Sequence, residues 1–446
     1  MKFLNKIINA DIILCTVFVF SLIFGLSKIE INLDFIDVIG KMTDTFETTD
    51  LVYTALRDEP APDTQITMVN IGNLDRGGIA QLITNLNKAE PAVIGIDVRF
   101  FKDKTNFYVE NGMENQDSLL EIAFSQTKNL VLATKLENFN EFTGQWDSLT
   151  TPLPRFRQYS NDGFVNVITA ENDFRVNRKI TPIDFVKDSM QIFFPVKISS
   201  LYSKEKTDKF LNRAKNKLLI ANKRDKTINV PEDDERLLET IYYRGNINNF
   251  YGEKDPFGNG DAFNKIDAFE GLEGTFDPNL VKGKICFLGY LGETIKNDKY
   301  WDEDKFYTPL NKKFAGKSFP DMYGVIVHAN IVSMILNETY IEIIDQQTNF
   351  IINIIICLLN VVLFSYIHNY IKLWWDGLSV VVALGEMILL YAIVLICFEY
   401  YRLEIDLNYA VAFIFLLGNL LELYYEYAKP GLQWTFKKVV PLAAKK

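Results

Sequence analysis

Six side chains combine a polar type with a position where a folded domain could use them to bind a ligand: Asp97, Arg99, Arg244, Thr308, His328 and Asn330. Asp97 and Arg99 follow a segment predicted to be a strand, and ligands gather at the carboxyl ends of strands in open parallel sheets. Arg244 ends another predicted strand, and its planar guanidinium is suited to holding an anion. The competing interpretation is an internal ion pair between Asp97 and Arg244 that fastens loops to the sheet.

His328 lies in the tripeptide His328-Ala329-Asn330 at the start of a predicted helix. Because imidazole titrates near neutral pH, a ligand-binding or switch role is one interpretation. The favoured interpretation is structural, because position in a fold does not establish a function. In that case the histidine is hydrogen-bonded and shares a network with Thr308 and Asn330.

The sequence offers little for metal binding or catalysis. His328 and His368 are the only histidines, and no Cys or His pair has the spacing of a zinc site. No nucleophile beside a base, and no pair of carboxylates, stands out from the many acidic residues. We therefore expect no metal, no cofactor and no enzymatic activity.

Cysteine placement and charge exclude further classes. Cys15, Cys357 and Cys397 fall inside long apolar segments, so Cys286 has no disulfide partner within a soluble domain. Cys286 lies in the middle of a predicted strand, and we expect its thiol to be buried and unreactive. The net charge of -10, without a long basic run, argues against nucleic acid as a partner.

The elements that would position these residues alternate between strand and helix. Residues 66–71 form a short apolar run typical of a strand, and residues 92–98 form a second one. Between them, apolar residues recur at helical spacing, namely Ile79, Leu82, Ile83 and Leu86. Strand, helix and strand in this order predict a right-handed parallel crossover.

The same pattern continues along the chain. Asp117 and Ser118 are predicted to cap a helix that carries Leu119, Leu120, Ile122 and Ala123. A helix is expected over residues 325–336, and strands over residues 130–134, 164–167, 241–244 and 285–288. Residues 204–226 are expected at the surface, and residues 255–274 in a long surface loop. The fold class predicted is α/β, with a mostly parallel sheet covered by helices.

Four apolar segments have the length to cross a bilayer: residues 7–26, 350–367, 378–398 and 407–423. The first could instead be a signal peptide, with Gly25-Leu26-Ser27 as a weak cleavage site, but an uncleaved anchor is favoured. Lysines flank the spans at Lys2, at Lys6, at Lys372 and after residue 428. In a four-span protein all of these fall on one side, which predicts cytoplasmic termini and an external segment from about residue 28 to 347.

Glu386 lies near the middle of the third predicted span, where a carboxylate is costly unless it is paired or protonated. A proton-linked or signalling role is one interpretation. The favoured one is a packing hydrogen bond, either inside the bundle or to a helix of a partner. Asn353, Asn360 and Asn419 support the packing interpretation, because they are further polar groups in these spans.

Several motifs in order make the region from about residue 30 to 345 resemble a CHASE2 domain. They are residues 69–101 with Gly95-Ile96-Asp97, then Tyr242-Tyr243-Arg244-Gly245, residues 281–289, Thr308-Pro309-Leu310, Tyr323-Gly324-Val325 and His328-Ala329-Asn330. The middle, residues 141–226, matches poorly, and Tyr323 stands where the family often has proline. The resemblance implies an extracytoplasmic sensory module of a bacterial inner-membrane receptor, with one membrane helix before the domain and three after it.

The predicted organisation is an anchor at residues 1–27, an extracytoplasmic domain at 28–348, a three-helix bundle at 349–425 and a basic tail at 426–446. Receptors of this family usually continue into a cyclase or kinase, and the tail is too short for a core. We therefore expect a sensory or interaction module that acts through a partner membrane protein, and a homo-oligomer is compatible with the sequence. The alternatives are a structural subunit of a cell-envelope complex and, more distantly, a periplasmic hydrolase.

Overall fold

The computed structural model describes residues 10–26, 50, 52–101, 113–140, 145–167, 176–187, 189–224, 238–248, 260–292, 304–311, 319–371 and 375–431. The chain divides into two compact units. A helical unit contains the described residues up to Val52 and those from Glu342 onward. An α/β unit contains the described residues from Tyr53 to Ile341.

The α/β unit alternates strands and helices along most of its length. Its strands are β1 (Asp63–Asn70), β2 (Val93–Ile96), β3 (Leu130–Asn140), β4 (Gln145–Thr150), β5 (Asn161–Phe164), β6 (Lys179–Ile180), β7 (Ile183–Val186), β8 (Ser189–Ile192), β9 (Glu239–Thr240), β10 (Phe263–Ile266), β11 (Ile285–Gly289), β12 (Lys305–Phe306) and β13 (Met322–Tyr323). The helical unit contributes the short strands β14 (Glu342–Ile343) and β15 (Leu403–Glu404).

The α-helices fall into the same two units. The helical unit contains α1 (Ala10–Leu26), and the α/β unit contains α2 (Arg76–Lys88), α3 (Met113–Ser125), α4 (Pro154–Arg157), α5 (Phe194–Tyr202), α6 (Lys204–Arg224), α7 (Ala268–Glu273) and α8 (Gly324–Asn337). The helical unit continues with α9 (Gln346–Tyr370), α10 (Trp375–Tyr401) and α11 (Asn408–Leu423).

One large sheet forms the centre of the α/β unit, with the strand order β10-β1-β11-β2-β3-β4-β7-β8. The strands from β10 to β3 are parallel to their neighbours, and β5 adds a further parallel pairing to β3. The pairs β3–β4 and β7–β8 are antiparallel, so the sheet is mixed. Parallel pairing brings the carboxyl ends of β1, β11 and β2 to one edge, where Asp97 follows β2.

The helix pattern read from the sequence is confirmed for α2, in which Ile79, Leu82, Ile83 and Leu86 are all buried in the core. The prediction for α3 is wrong at its start. This helix begins at Met113, so Asp117 lies inside it and forms an ion pair with Arg76 at 2.6 Å instead of capping the helix. Leu120 and Ala123 face the core, whereas Leu119 and Ile122 are exposed.

Three further predictions need correction. Residues 241–244 are not a strand, because only Glu239–Thr240 pair with another strand and the chain then becomes irregular. The described part of residues 255–274 is not a loop, since it contains β10 and α7. The strand expected at residues 164–167 ends at Phe164 instead of beginning there. Each error concerns a segment whose pairing depends on distant residues.

Helix α8 packs closely against β11. A Cβ atom at Gly289 would lie 2.8 Å from Cβ of Val325, so glycine at this position permits the close approach. Cys286, in the same strand, is fully buried, and burial raises the pKa of its thiol to about 12. The expected burial of this cysteine is confirmed, and its low reactivity stays a prediction.

Among the described residues of the helical unit, three helices are long and apolar enough to cross a membrane: Gln347–Tyr370, Gly377–Tyr401 and Asn408–Gly431. Helix α1 has 17 residues within the described part of the chain, and its role as a fourth span stays a prediction. It packs in the same apolar cluster as the long helices through Cys15 and Val19. Asn353 joins α9 to α11, since its side chain donates to Asp406 O at 2.8 Å and accepts from Ala410 N at 2.9 Å.

Candidate functional site

Helix α8 carries most of the polar side chains that the sequence singled out. It is buried from Gly324 to Leu336, although its sequence includes His328, Asn330 and Ser333. Buried polar groups are costly unless they are hydrogen-bonded, so each of these side chains requires a partner or an explanation. Residues two positions apart on a helix point in directions about 200° apart. His328 and Asn330 therefore face different surroundings.

His328 faces β2 and two aromatic rings. Its Nε2 atom lies 3.7 Å from Oδ2 of Asp97, and its ring meets those of Phe193 and Phe194 edge-on at 5.4 Å. Its Nδ1 atom has no hydrogen-bond partner within the described part of the chain. Burial lowers the pKa of His328 to about 3. The imidazole is thus neutral at physiological pH, which removes the ground for a switch role based on its own titration.

Asp97 is the group that titrates near neutrality at this position. Burial is the main cause that raises the pKa of Asp97 to about 7, and the neighbouring charge of Asp304 raises it further. The charge of Arg99 lowers this pKa but does not offset the other two effects. The carboxyl side chain keeps 17% of its surface exposed, while His328 keeps 1%. A carboxyl in this environment can gain or lose a proton under physiological conditions. Asp97 and His328 therefore lie together at the carboxyl end of β2, and the charge of the exposed Arg99 acts on the Asp97 carboxyl from outside.

Asn330 faces the other direction and holds the irregular segment after β9. Its Oδ1 atom accepts from the backbone N–H of Arg244 at 2.7 Å and of Gly245 at 3.2 Å. Its Nδ2 group donates to Gly245 O at 3.0 Å and to Ile326 O at 2.9 Å. These bonds satisfy backbone groups that a strand partner would otherwise satisfy. Tyr242 N–H likewise donates to a side chain of α8, Met334 Sδ, at 3.3 Å, so side chains of this helix take the place of a strand partner here.

Arg244 is tied to α8 and not to Asp97. Its Nε atom donates to Ser333 Oγ at 2.8 Å, and its Nη1 atom donates to Ala61 O at 2.6 Å. Ser333 Oγ in turn donates to Oδ2 of Asp63 at 2.7 Å. The predicted ion pair between Asp97 and Arg244 is therefore wrong, because each side chain has different partners on different faces of α8.

Thr308 belongs to a third group, centred on Asp321. The Thr308 backbone N–H and hydroxyl donate to the two carboxylate oxygens of Asp321 at 2.9 and 2.5 Å. Burial raises the pKa of Asp321 to about 7, although the hydrogen bonds from Thr308 act to lower that pKa. Asn246 donates to Asp321 O at 2.8 Å, which links this group through Gly245 to Asn330. Thr308 and Asn330 thus share a network as expected, but His328 is outside it.

The six predicted residues do not converge on a single site. Asp97 and His328 meet on one side of α8, with the charge of Arg99 acting on Asp97, and Arg244 and Asn330 meet on another side. Sequence reasoning missed Asp63, Ser333 and Asp321, which complete the polar contacts. Only Ser333 had a local signal, as a further polar residue in the apolar run of α8. No group of three or more His, Cys, Asp or Glu suited to a metal ion occurs among the described residues.

Glu386 lies near the middle of α10, partly exposed, and one turn before the buried Leu390. Its Oε2 atom is buried and has no hydrogen-bond partner within the described residues. The favoured interpretation is a packing hydrogen bond, either inside the bundle or to a helix of a partner. Within the described residues, Glu386 makes no such bond inside the bundle. A bond to a helix of another protein stays a prediction.

Comparison with known proteins adds one match. A model of the CHASE2 domain family matches residues 15–365, which includes the α/β unit, part of α1 and most of α9. No curated protein and no solved structure matches the chain. The family is one of extracellular sensory domains, and its model covers far more than half of the sequence. The resemblance seen in the motifs is confirmed, and the chain belongs to the CHASE2 domain family.

Proposed function

We propose that this chain is a membrane-anchored sensory and interaction module that acts through a partner membrane protein and has no catalytic activity of its own. Membership of a family of extracellular sensory domains supports the sensory role. The family model also extends into the apolar helices on both sides of the α/β unit. In this proposal the module detects a condition outside the cell, and the bundle passes the response on.

The proposed topology places both termini in the cytoplasm and the α/β unit on the periplasmic side of a bacterial inner membrane. The distribution of lysines around the spans supports it. Backbone pairing of β14 with β15 also supports it, because it brings the start of α9 and the end of α10 to the same end of the bundle. Three spans after the domain then end on the side opposite to it.

The partner is proposed from two features of α10, and the first is the unsatisfied carboxyl of Glu386. A carboxyl near the centre of a span is costly without a hydrogen-bond partner, and within the described residues its Oε2 atom has none. The helix that carries it is also the least enclosed span, with 11% of its apolar stretch buried, against 39% and 44% for the other two. A donor on a transmembrane helix of another protein would satisfy both features.

The test is to isolate the full-length protein from its native host in mild detergent and identify what co-elutes by mass spectrometry. We expect a second membrane protein with the wild type and with Glu386→Gln, because an amide still hydrogen-bonds across helices. We expect Glu386→Leu to lose it. Glu422→Leu is the matched control, since Glu422 is exposed on α11. A variant lacking residues 429–446 and the isolated α/β unit show which part binds.

Other outcomes would contradict the proposal. A free monomer or homodimer in every preparation would defeat the partner hypothesis. Association that never changes when small molecules are dialysed away would favour the structural-subunit alternative over a sensor. Turnover by the purified domain on a broad substrate panel would favour a hydrolase. Labelling of cysteines introduced at positions 258 and 445 from the same side of the membrane would refute the topology.

A further inference from the structure

A cleft of about 340 Å³ opens on the α/β unit, away from the Asp97 cluster. Three chain segments contribute its lining: residues from 53 to 62, residues 244–245 and residues 260–262. Its volume lies at the lower end of the range of small-molecule sites, about 300–1,000 Å³. Two of the lining side chains are arginines, Arg57 and Arg244, and their chemistry decides what the cleft can bind.

Neutral acceptors hold both guanidinium groups in place. Arg57 donates through Nη1 to Tyr243 O at 2.6 Å and through Nη2 to Arg244 O at 3.2 Å. Its Cζ atom lies 4.6 Å from the centre of the Tyr53 ring, so it also makes a cation–π contact. Arg244 uses Nε and Nη1 for Ser333 Oγ and Ala61 O. Nε of Arg57 and Nη2 of Arg244 have no acceptor within the described residues.

The charge of these arginines is not balanced by a carboxylate ion pair in the described part of the chain. The acidic side chains that border the cleft have other contacts. Asp261 forms an ion pair with Lys265 at 3.0 Å, and Glu59 accepts from Gly260 N at 3.2 Å. A guanidinium donates five hydrogen bonds and prefers carboxylate or phosphate oxygens, so two preorganised guanidiniums beside one cleft are suited to an anion.

We propose that this cleft binds a small organic acid through one carboxylate, which accepts from Nη2 of Arg244 and Nε of Arg57. Tyr53, Pro60 and Pro62 line the same cleft and would contact the apolar part of the acid. Glu59 and Asp261 at its border disfavour a polyanion by charge repulsion. The biological role of this binding rests on the proposed sensory function. A small organic acid would then be the class of ligand that the module senses.

The test measures binding to the purified full-length protein in detergent by saturation-transfer NMR and calorimetry. The probes are acetate, succinate and benzoate, with benzamide as the uncharged match of benzoate and inorganic phosphate as the alternative anion. We expect at least one carboxylate to bind, and benzoate to bind about tenfold or more tightly than benzamide, because hydrogen bonds to charged groups are the stronger ones.

Three variants locate the site. Arg244→Lys keeps the charge but loses the planar fork, and Arg57→Gln removes the second charge, so each should weaken carboxylate binding about tenfold or more. Gly260→Leu should abolish binding with both arginines in place. A Cβ at Gly260 has Glu59 Oε2 as its nearest neighbour, at 3.6 Å, so this substitution fills the cleft without a clash at Cβ. Arg157→Lys, on a distant exposed ion pair, is the control.

Binding of no carboxylate by the wild type would overturn the proposal. Binding that survives both Arg57→Gln and Gly260→Leu would overturn the assignment to this cleft. Tighter binding of phosphate than of every carboxylate would overturn the ligand class. If carboxylates fail to bind while a partner still co-elutes in a Glu386-dependent manner, only the ligand inference is lost and the proposed function stands.

Discussion

Replacing Asp97 by asparagine should change how the stability of the α/β unit depends on pH. The pKa of Asp97 is about 7 in the folded chain, raised from an ordinary value of 3.8, so the folded state holds a proton that the unfolded state releases. Because its folded-state pKa is raised, Asp97 contributes most to the free energy of unfolding at low pH, and this contribution is lost as the pH rises through the folded-state pKa. The loss is concentrated between pH 4 and 7 and levels off above about pH 7.

The size of the effect follows from the shift. One pKa unit corresponds to about 1.4 kcal/mol, so ionising Asp97 in the folded protein costs about 4 kcal/mol in all. Between about pH 5 and pH 8, about 2–3 kcal/mol of this should be lost from the free energy of unfolding. Asp97→Asn should remove that part of the loss, because the amide does not titrate. A remaining slope is expected from Asp321, whose pKa is also raised to about 7.

The assay is urea-induced unfolding of the α/β unit in the full-length protein, followed by pulse proteolysis at several pH values. Asp208→Asn is the matched control, since it makes the same substitution at a residue that is exposed on α6. Parallel pH profiles for the wild type and Asp97→Asn would refute the reasoning. That result would mean that Asp97 stays ionised throughout the range beside His328.

Three other substitutions or modifications test the packing. Asn330→Ala should lower the free energy of unfolding by about 2–5 kcal/mol, because the buried N–H of Gly245 and the half-buried N–H of Arg244 lose their acceptor, and urea unfolding measures this. Gly289→Ala should cost about 1–3 kcal/mol by the same measurement, since the new Cβ would lie 2.8 Å from Val325; an unchanged value would contradict the close approach. Cys286 should react with a membrane-impermeant thiol reagent only after unfolding, and rapid labelling of the folded protein would contradict its burial.

The elements predicted well are those whose signal lies within a few consecutive residues. The spacing of four apolar side chains predicted α2, and three long apolar runs predicted the three long apolar helices after the domain. The apolar runs that became β1, β2 and β11 were located to within a few residues. The failures have a common cause. The segment at 241–244 has strand-like residues, but its backbone N–H groups find separate distant partners. Tyr242 donates to Met334 Sδ, and Arg244 donates to Asn330 Oδ1, 86 positions away.

The sequence by itself determined the family, the alternation of strands and helices and the three long apolar helices after the domain, because these are properties of local pattern and composition. The tertiary structure decided which candidates meet. It separated His328 from Asn330 by the rotation of α8, gave Asp97 and Arg244 different partners, and brought Arg57 beside Arg244. Burial also decided that Asp97, and not the histidine, titrates near neutral pH, since desolvation depends on neighbours distant in the chain.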